Sequence, residues 1–413
     1  MRAFFLLAVA SSVLGCSGHY ALEMREPHQL ARSGQTADAL TALHQKTDGA
    51  GWDELLVALD DGALLHRMGK WKESADALNR AIAIADERET VSVSEELVGR
   101  APFRMANHEK QSLHALQALN YVQLGKLDDA LVEARLTDLR QAKLGTETGA
   151  SARSENFVTG STVDETQRTY FEQLRFGRYL SALAWELSGK PEEAFIDYAR
   201  TWELSAAAPP DAPSGVGVFA GTTLRLAKDL GRKELPSLEA KATTPPDPPL
   251  GTDGAVVVIV EAGFSPELAL DERNQSYSLR AVARGSTPGS VVANGTPVVP
   301  ETSSSIEDLA ERRQFRGILI DRERSASVGV NTLMAVGGII LFPIGIPLLI
   351  KRGWESAIRL GQSWLMLPRE FQVARLRLKA GRHTLQVPSL QGLVSREVEV
   401  HPGQTTVLVT QGP

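Results

Sequence analysis

The chain has 413 residues, 43% of them hydrophobic, with 44 Lys and Arg against 50 Asp and Glu for a formal net charge of −6. That length supports about two or three domains with their own cores, and the acidic balance argues against the basic stripe that nucleic-acid binding requires, so no nucleic acid is expected as a partner. One cysteine, Cys16, leaves no internal disulfide and no multi-cysteine metal site, so stability has to come from packing.

The first element is a secretory leader. Met1-Arg2 supplies the positive start, Ala3 to Leu14 an apolar run too short to span a bilayer, and Gly15 a small cleavage position. Cys16 follows directly in Val13-Leu14-Gly15-Cys16, a pattern similar to the bacterial lipobox, whose thiol receives a diacylglycerol. Residues 1–15 are therefore read as a lipoprotein signal peptide and Cys16 as the lipid attachment site; the alternative is an incidental cysteine beside an ordinary signal. Each buried acyl methylene contributes about 0.8 kcal/mol, so several chains hold a protein at a membrane for long times. Ser17, a non-aspartate after the cysteine, implies by likeness to Gram-negative lipoproteins an address at the periplasmic face of the outer membrane.

Residues 16–235 are predicted to form helical repeats. Gly62, Leu65, Gly69, Ser74, Leu78 and Ala81 define one unit, and Ala118, Tyr121, Gly125, Ala130 and Ala134 the next. Ala182, Trp185, Gly189, Ala194 and Tyr198 define another, with Gly34, Ala39 and Leu43 as a partial earlier unit. The small residues let two helices approach, the glycines take backbone angles that a side chain opposes, and the bulky residues fill the space between units. Gly-Lys-Trp-Lys-Glu-Ser at 69–74 is echoed at 125–130 and 189–194, which favours a tetratricopeptide-like repeat over a generic helical bundle. Insertions are expected near Glu87 to His108 and Gly145 to Gln167, since the glycines stand 35, 56 and 64 residues apart.

Pro-rich Ala206 to Pro213 and Thr243 to Pro249 flank a helix expected over Thr222 to Leu230, and residues 236–253 read as a linker. Gly215 to Gly221 lacks the preceding strand and spacing of a phosphate loop and reads as a helix entry. Residues 254–413 are expected to form a small antiparallel β-rich domain, with strands at Ala255 to Val260, Tyr277 to Ala283, Phe371 to Leu378, His383 to Val387, Val394 to Val400 and Thr405 to Thr410. The fold class is thus α+β, a helical solenoid followed by a sheet domain with an inserted apolar helical segment. That segment, Val328 to Ile350, carries no charge over 23 residues but holds Gly337, Gly338, Pro343, Gly345 and Pro347. It admits three readings: a membrane-contacting or re-entrant hairpin, a helix buried in protein, or a true span. Strand-like sequence on both sides places its flanks on one side of any membrane.

Phe103-Arg104, Glu109, Ala118 to Gly125 and Ala130 to Arg135 together resemble the characteristic stretch of an uncharacterised family of Gram-negative tetratricopeptide-repeat lipoproteins. Val257 to Pro266, Ser363-Trp364, Leu367-Pro368, Val373 to Arg375 and Ala380 to Thr384 are similar to its C-terminal signature. The resemblance implies cell-envelope work, because members are often encoded beside a lipoprotein similar to activators of penicillin-binding proteins. Arg359 to Gln362 departs from the family's Asp-Thr-Arg-like stretch.

Catalytic constellations are missing from the sequence. His108 and His114 are six apart, off the i, i+4 face that two zinc ligands on a helix need. There is no Gly-x-Ser-x-Gly elbow and no Gly-x-x-x-x-Gly-Lys-Ser/Thr loop, and acidic residues on helix faces read as solvated. The expectation is a lipid-anchored scaffold without catalytic residues, cofactor or metal. It binds protein partners through its repeats and contacts membrane through Cys16 and, on one reading, Val328 to Ile350.

Overall fold

The computed structural model describes residues 20–49, 51–90, 103, 105, 107–137, 175–206, 216–265, 267–271, 276–280, 289–305 and 364–413. Cys16, the insertion at Gly145 to Gln167 and the segment Val328 to Ile350 lie outside the described residues.

After a short α1 (Tyr20–Glu23), the helical half is a run of hairpins: α2 (Arg25–Arg32) with α3 (Thr36–Thr47), α4 (Glu54–Arg67) with α5 (Trp71–Thr90), and α6 (Asn107–Gln123) with α7 (127–137). Then follow α8 (Arg175–Leu187) with α9 (Pro191–Ala206), and α10 (Val216–Asp229) with α11 (Leu235–Glu239). The glycines at the turns have left-handed φ: 83° at Gly34, 71° at Gly69, 70° at Gly125, 68° at Gly189 and 63° at Gly231. In each, the next residue's N–H donates to a carbonyl five residues back, as Lys70 to Leu65 (3.0 Å), Lys126 to Tyr121 (2.8 Å), Lys190 to Trp185 (3.0 Å) and Arg232 to Ala227 (2.8 Å). This is a Schellman cap repeated along the chain. Gly62 lies against Leu78, whose side chain a Cβ would strike, and its carbonyl accepts Ser74 Oγ at 2.8 Å. Small Ala118 and Ala182 are likewise buried. The fifth cap, at Gly231, escapes the sequence reading because its hairpin lacks the Ala/Ser echo. Its helix starts earlier than expected, at Val216, so most of the Gly215 to Gly221 stretch is helical.

Asp53 ties the second hairpin together. Its carboxylate caps α4 through the N–H groups of Leu55 (3.0 Å) and Leu56 (3.3 Å), and also accepts from Arg88 on α5 (2.9 Å) and from the Phe103 N–H (2.9 Å).

The sheet half is two four-stranded layers and a separate β2–β3 pair. The strands are β1 (Asp253–Ala262), β2 (Glu267–Asp271), β3 (Ser276–Arg280), β4 (Val291–Ala293), β5 (Thr296–Val298), β6 (Glu301–Ser305), β7 (Glu370–Lys379), β8 (Gly381–Ser389), β9 (Gly392–Val400) and β10 (Thr405–Gly412). One layer has the order β10-β1-β7-β6, the other β5-β4-β8-β9. Pairing is antiparallel except between β1 and β10, which run parallel from Ala255↔Thr405 to Ala262↔Gly412. The exception has a topological cause: β10 leaves β9 in the other layer, crosses through 401–404, and enters beside β1 in β1's own direction.

β1 buries both faces, which explains its unbroken apolar run. Val256, Val258, Val260 and Ala262 join Leu385, Val387, Val398 and Val400 between the layers. Val257 and Ile259, with Phe371 and Val373 of β7, join the core of the helices instead. One apolar core therefore runs from the first hairpin into the sheet. Residues after α11 lie along α10, with the Asp247 N–H on the Gly221 carbonyl (2.9 Å) and Thr222 Oγ1 on the Asp247 carboxylate (2.7 Å).

Gly254→Ala probes the β1–β10 junction. A Cβ there would sit 2.5 Å from the His401 carbonyl oxygen and 3.0 Å from that of Gln404. Both belong to a turn pinned to β1 by Gly403 N–H to Asp253 O (2.7 Å) and Ala255 N–H to Gln404 O (2.8 Å). We expect a loss of about 1–3 kcal/mol, read as a lower midpoint in urea; an unchanged midpoint would mean that the turn moves freely.

Candidate functional site

Several residues of the stretches that carry the family resemblance, Glu109, Asn120, Glu261, Trp364 and Arg375, meet where the helices face the sheet. Side chains of α4, α6, α8 and α10, the first helices of their hairpins, all reach β1, β6, β7, β10 or the adjoining loops, through three sets of contacts.

The first centres on His66 at the end of α4. Its Nε2 lies 2.7 Å from Glu261 Oε1 of β1 and its Nδ1 lies 2.7 Å from Asn120 Oδ1 of α6. Asn120 Nδ2 donates to Ser74 Oγ (2.9 Å), which donates in turn to the Gly62 carbonyl, so the amide oxygen is the atom that faces His66. Both ring nitrogens thus lie within hydrogen-bond distance of oxygen atoms. Trp71 closes the ring's side, with centroids 5.0 Å apart. Gln117 extends the network to Asn79 (2.8 Å) and to the Tyr121 hydroxyl (3.1 Å).

Arg67, beside His66, is enclosed. It stacks on Phe264 at 4.1 Å and donates from Nη2 to the carbonyls of Gly263 and Met366 (3.3 Å each), while Nη1 has no hydrogen-bond partner. Burial pulls its guanidinium down to about 10, and the Glu261 carboxylate acts against that fall. Nearby the Trp364 backbone N–H donates to Glu109 Oε1 at 2.7 Å, joining two of the stretches behind the resemblance 255 residues apart.

The second set surrounds Glu186 at the end of α8. Arg375 of β7 grips both carboxylate oxygens, Arg225 of α10 donates to Oε1 at 2.9 Å, and the Tyr198 hydroxyl donates to Oε2 at 2.8 Å. Burial alone would raise the Glu186 carboxyl, but Arg375 and Arg225 more than offset it and hold it at about 2. Burial also works against the charged form of Arg375, and Glu186 outweighs it, so that guanidinium is held protonated more firmly than usual. Burial, then Glu186, raises the Tyr198 hydroxyl.

The third set joins α8 and α10 to the same layer. Phe176 stacks on Phe371 with centroids 4.1 Å apart and planes 9° from parallel. Glu301 of β6 accepts the N–H groups of Gly217 (2.9 Å) and Val218 (3.3 Å). The helix terminus at which the glycine-rich stretch hints at a phosphate loop is thus filled by the chain's own carboxylate.

These groups are largely buried, and most of their hydrogen bonds go to one another. Among the described residues no group of three or more His, Cys, Asp or Glu could hold a metal ion, and no helix is long and apolar enough to cross a membrane. His114, read by its spacing as a non-ligand, is buried against Glu133 at 2.7 Å. The reading of helix-face acids as solvated fails at Glu109, Glu133 and Glu186, whose partners lie on other elements. The repeat face expected to receive a partner is covered at its first helices by the sheet, which leaves the second helices outward.

The molecule is thus a helical-hairpin repeat protein of tetratricopeptide type whose first helices are welded to a two-layer sheet. No protein-family model matches the sequence, and no curated protein does. Among solved structures it is similar to MamA MSR-1, at 16% identity over 53% of this chain and 95% of that one, with a TM-score of 0.30. It is also similar to the nearly identical TPR-like repeats of a Podosopora anserina kinesin light chain, described there as putative, at 16% identity over 55% of this chain and 94% of that one, with a TM-score of 0.35. The repeat assignment rests on the chain's own caps and contacts.

Proposed function

We propose that the chain is a protein-interaction scaffold of the Gram-negative cell envelope, tethered by acyl chains on Cys16 at the periplasmic face of the outer membrane. The observation that carries the scaffold reading is the division of labour within the hairpins. First helices are committed to the sheet, and second helices stand outward on a rigid frame. The anchor rests on the lipobox-like sequence. Replacing Cys16 by alanine is expected to abolish labelling by a fatty-acid analogue and release the protein from the membrane fraction; acylated Cys16→Ala protein would overturn the anchor. Photo-crosslinking from the outward helices in cells tests the scaffold, which fails if no site on the molecule yields a protein adduct.

A second reading adds membrane contact by Val328 to Ile350. It draws on the pairing of β6 with β7, in which Ser305 lies opposite Glu370. Both ends of the intervening stretch are thereby held side by side, whereas a single crossing would separate them by a bilayer. On this reading the segment enters and leaves on one side. Carbonate extraction of the Cys16→Ala protein decides: resistant membrane association supports insertion, and full release removes it.

A further inference from the structure

We propose that the molecule stands end-on to the membrane, with the end of the two sheet layers that the first hairpin caps set on the phospholipid headgroups. This deepens the anchor reading and rests on it.

Reach supplies the first constraint. Tyr20, where the described chain begins, is locked in place: it is 3% exposed, its hydroxyl donates to Asp60 Oδ2 of α4 at 2.9 Å, and its ring meets Trp52 edge-on at 6.1 Å. His28 Nε2 lies 3.0 Å from the same carboxylate oxygen. Cys16 stands four residues before Tyr20, and four residues reach no more than about 14 Å even when fully extended. That is little more than the diameter of one helix. An acyl chain on Cys16 therefore holds α1 and the start of α2 at the bilayer surface.

The contacts of the first hairpin supply the direction. Arg32, at the end of α2, lies over the Phe264 ring at 5.9 Å, and a Cβ at Gly34 would sit 3.2 Å from Gln391 and 3.6 Å from Leu390, in the turn between β8 and β9. Phe264 follows β1, whose last residue, Ala262, pairs with Glu370, and Glu370 pairs with Ser305. These groups share one end of the sheet layers, and the first hairpin covers it. Asp60, which holds Tyr20, stands two turns before Arg67, whose guanidinium reaches Gly263 and Met366 at that same end, a rise of about 10 Å along α4. The opposite end, around Ala380, lies about 30 Å away along β7. Glu23, Arg25 and Glu26 are exposed on α1 and α2, so this face rests on headgroups and stays out of the hydrocarbon. β6 ends and β7 begins at this end too, so the anchor and the membrane-contacting reading of Val328 to Ile350 call for the same bilayer.

The test uses single thiols, since acylation of Cys16 leaves an introduced cysteine as the free one. Glu23→Cys, Gln391→Cys and Ala380→Cys are all at exposed positions, and an unchanged melting temperature confirms that each variant folds. Each full-length protein carries a donor fluorophore and is reconstituted in vesicles of phosphatidylethanolamine and phosphatidylglycerol that bear an acceptor on their headgroups. We expect energy transfer from Glu23→Cys and from Gln391→Cys to be at least twice as efficient as from Ala380→Cys. Equal transfer from Gln391→Cys and Ala380→Cys would mean that the molecule lies on its side, and stronger transfer from Ala380→Cys that it stands the other way up; either overturns the proposal. If the protein is acylated, that failure leaves the anchor reading standing, whereas protein that takes up no fatty-acid label overturns both.

Discussion

Glu186→Leu is expected to lower stability by about 3–5 kcal/mol, because it strands two buried guanidinium groups that now share one carboxylate. Arg375 loses its bidentate partner, Arg225 keeps only Asp229 (3.4 Å), and the Tyr198 hydroxyl loses its acceptor. Removing Arg375 as well, as Glu186→Leu with Arg375→Met, is expected to recover only the part of that loss owed to Arg375, since Arg225 and the Tyr198 hydroxyl still lack their carboxylate. The urea midpoints of the two variants measure the difference, and a single variant within 1 kcal/mol of the parent would show that the cluster does not secure the seam. The acid limb supplies an independent sign. Glu186 titrates near 2 in the folded protein against 4.5 as its ordinary value. A depressed carboxylate contributes its stability above the unfolded value and loses it as pH falls through the folded one. The contribution, about 3 kcal/mol from the linkage relation, is therefore complete above roughly pH 4.5 and fades toward pH 2. Glu186→Gln should flatten the decline of stability in that window, and an unchanged slope would assign the decline to other carboxylates.

Phe371→Ala ranks beside it. The ring is fully buried, stacked on Phe176 and part of the core common to helices and sheet, so truncation removes an aromatic pair and leaves a cavity costing about 3–5 kcal/mol. Because the ring bridges the two halves, loss of helical signal and loss of β-sheet signal should shift together in thermal unfolding. Separate transitions, with only the sheet affected, would mean that the halves fold as independent bodies.

The sequence announced what is local and withheld what is distant. Gly69, Gly125 and Gly189 could be recognised because a Schellman cap leaves its glycine, and the helix start after it, at fixed offsets. Alternation and turn residues marked β7 to β10 to within a few residues. The β4–β5 hairpin was missed, although Asn294-Gly295, with φ of 50° and 79°, is the turn pair that favours tight hairpins. No local pattern distinguishes Glu186 from a solvated helix acid, since its partner Arg375 is 189 residues away. His66 and Glu261 are 195 apart and meet only once β1 lies across α4. Of the residues behind the family resemblance, Glu109, Asn120, Glu261, Trp364 and Arg375 take part in the seam's contacts.

The parallel β1–β10 pair bears on how the molecule is made. Each helical hairpin closes through contacts within a few dozen residues, so the N-terminal array can form while the ribosome is still working. Its inner helices carry apolar side chains and charged groups whose partners, Arg375 and Thr405 among them, are synthesised much later, 189 and 219 residues after Glu186. Long-range pairing of this kind is slow and exposes sticky surface meanwhile. A nascent chain stopped before Thr405 would have complete repeats, an open inner face and a bare β1 edge, and would need a holding chaperone to stay in solution.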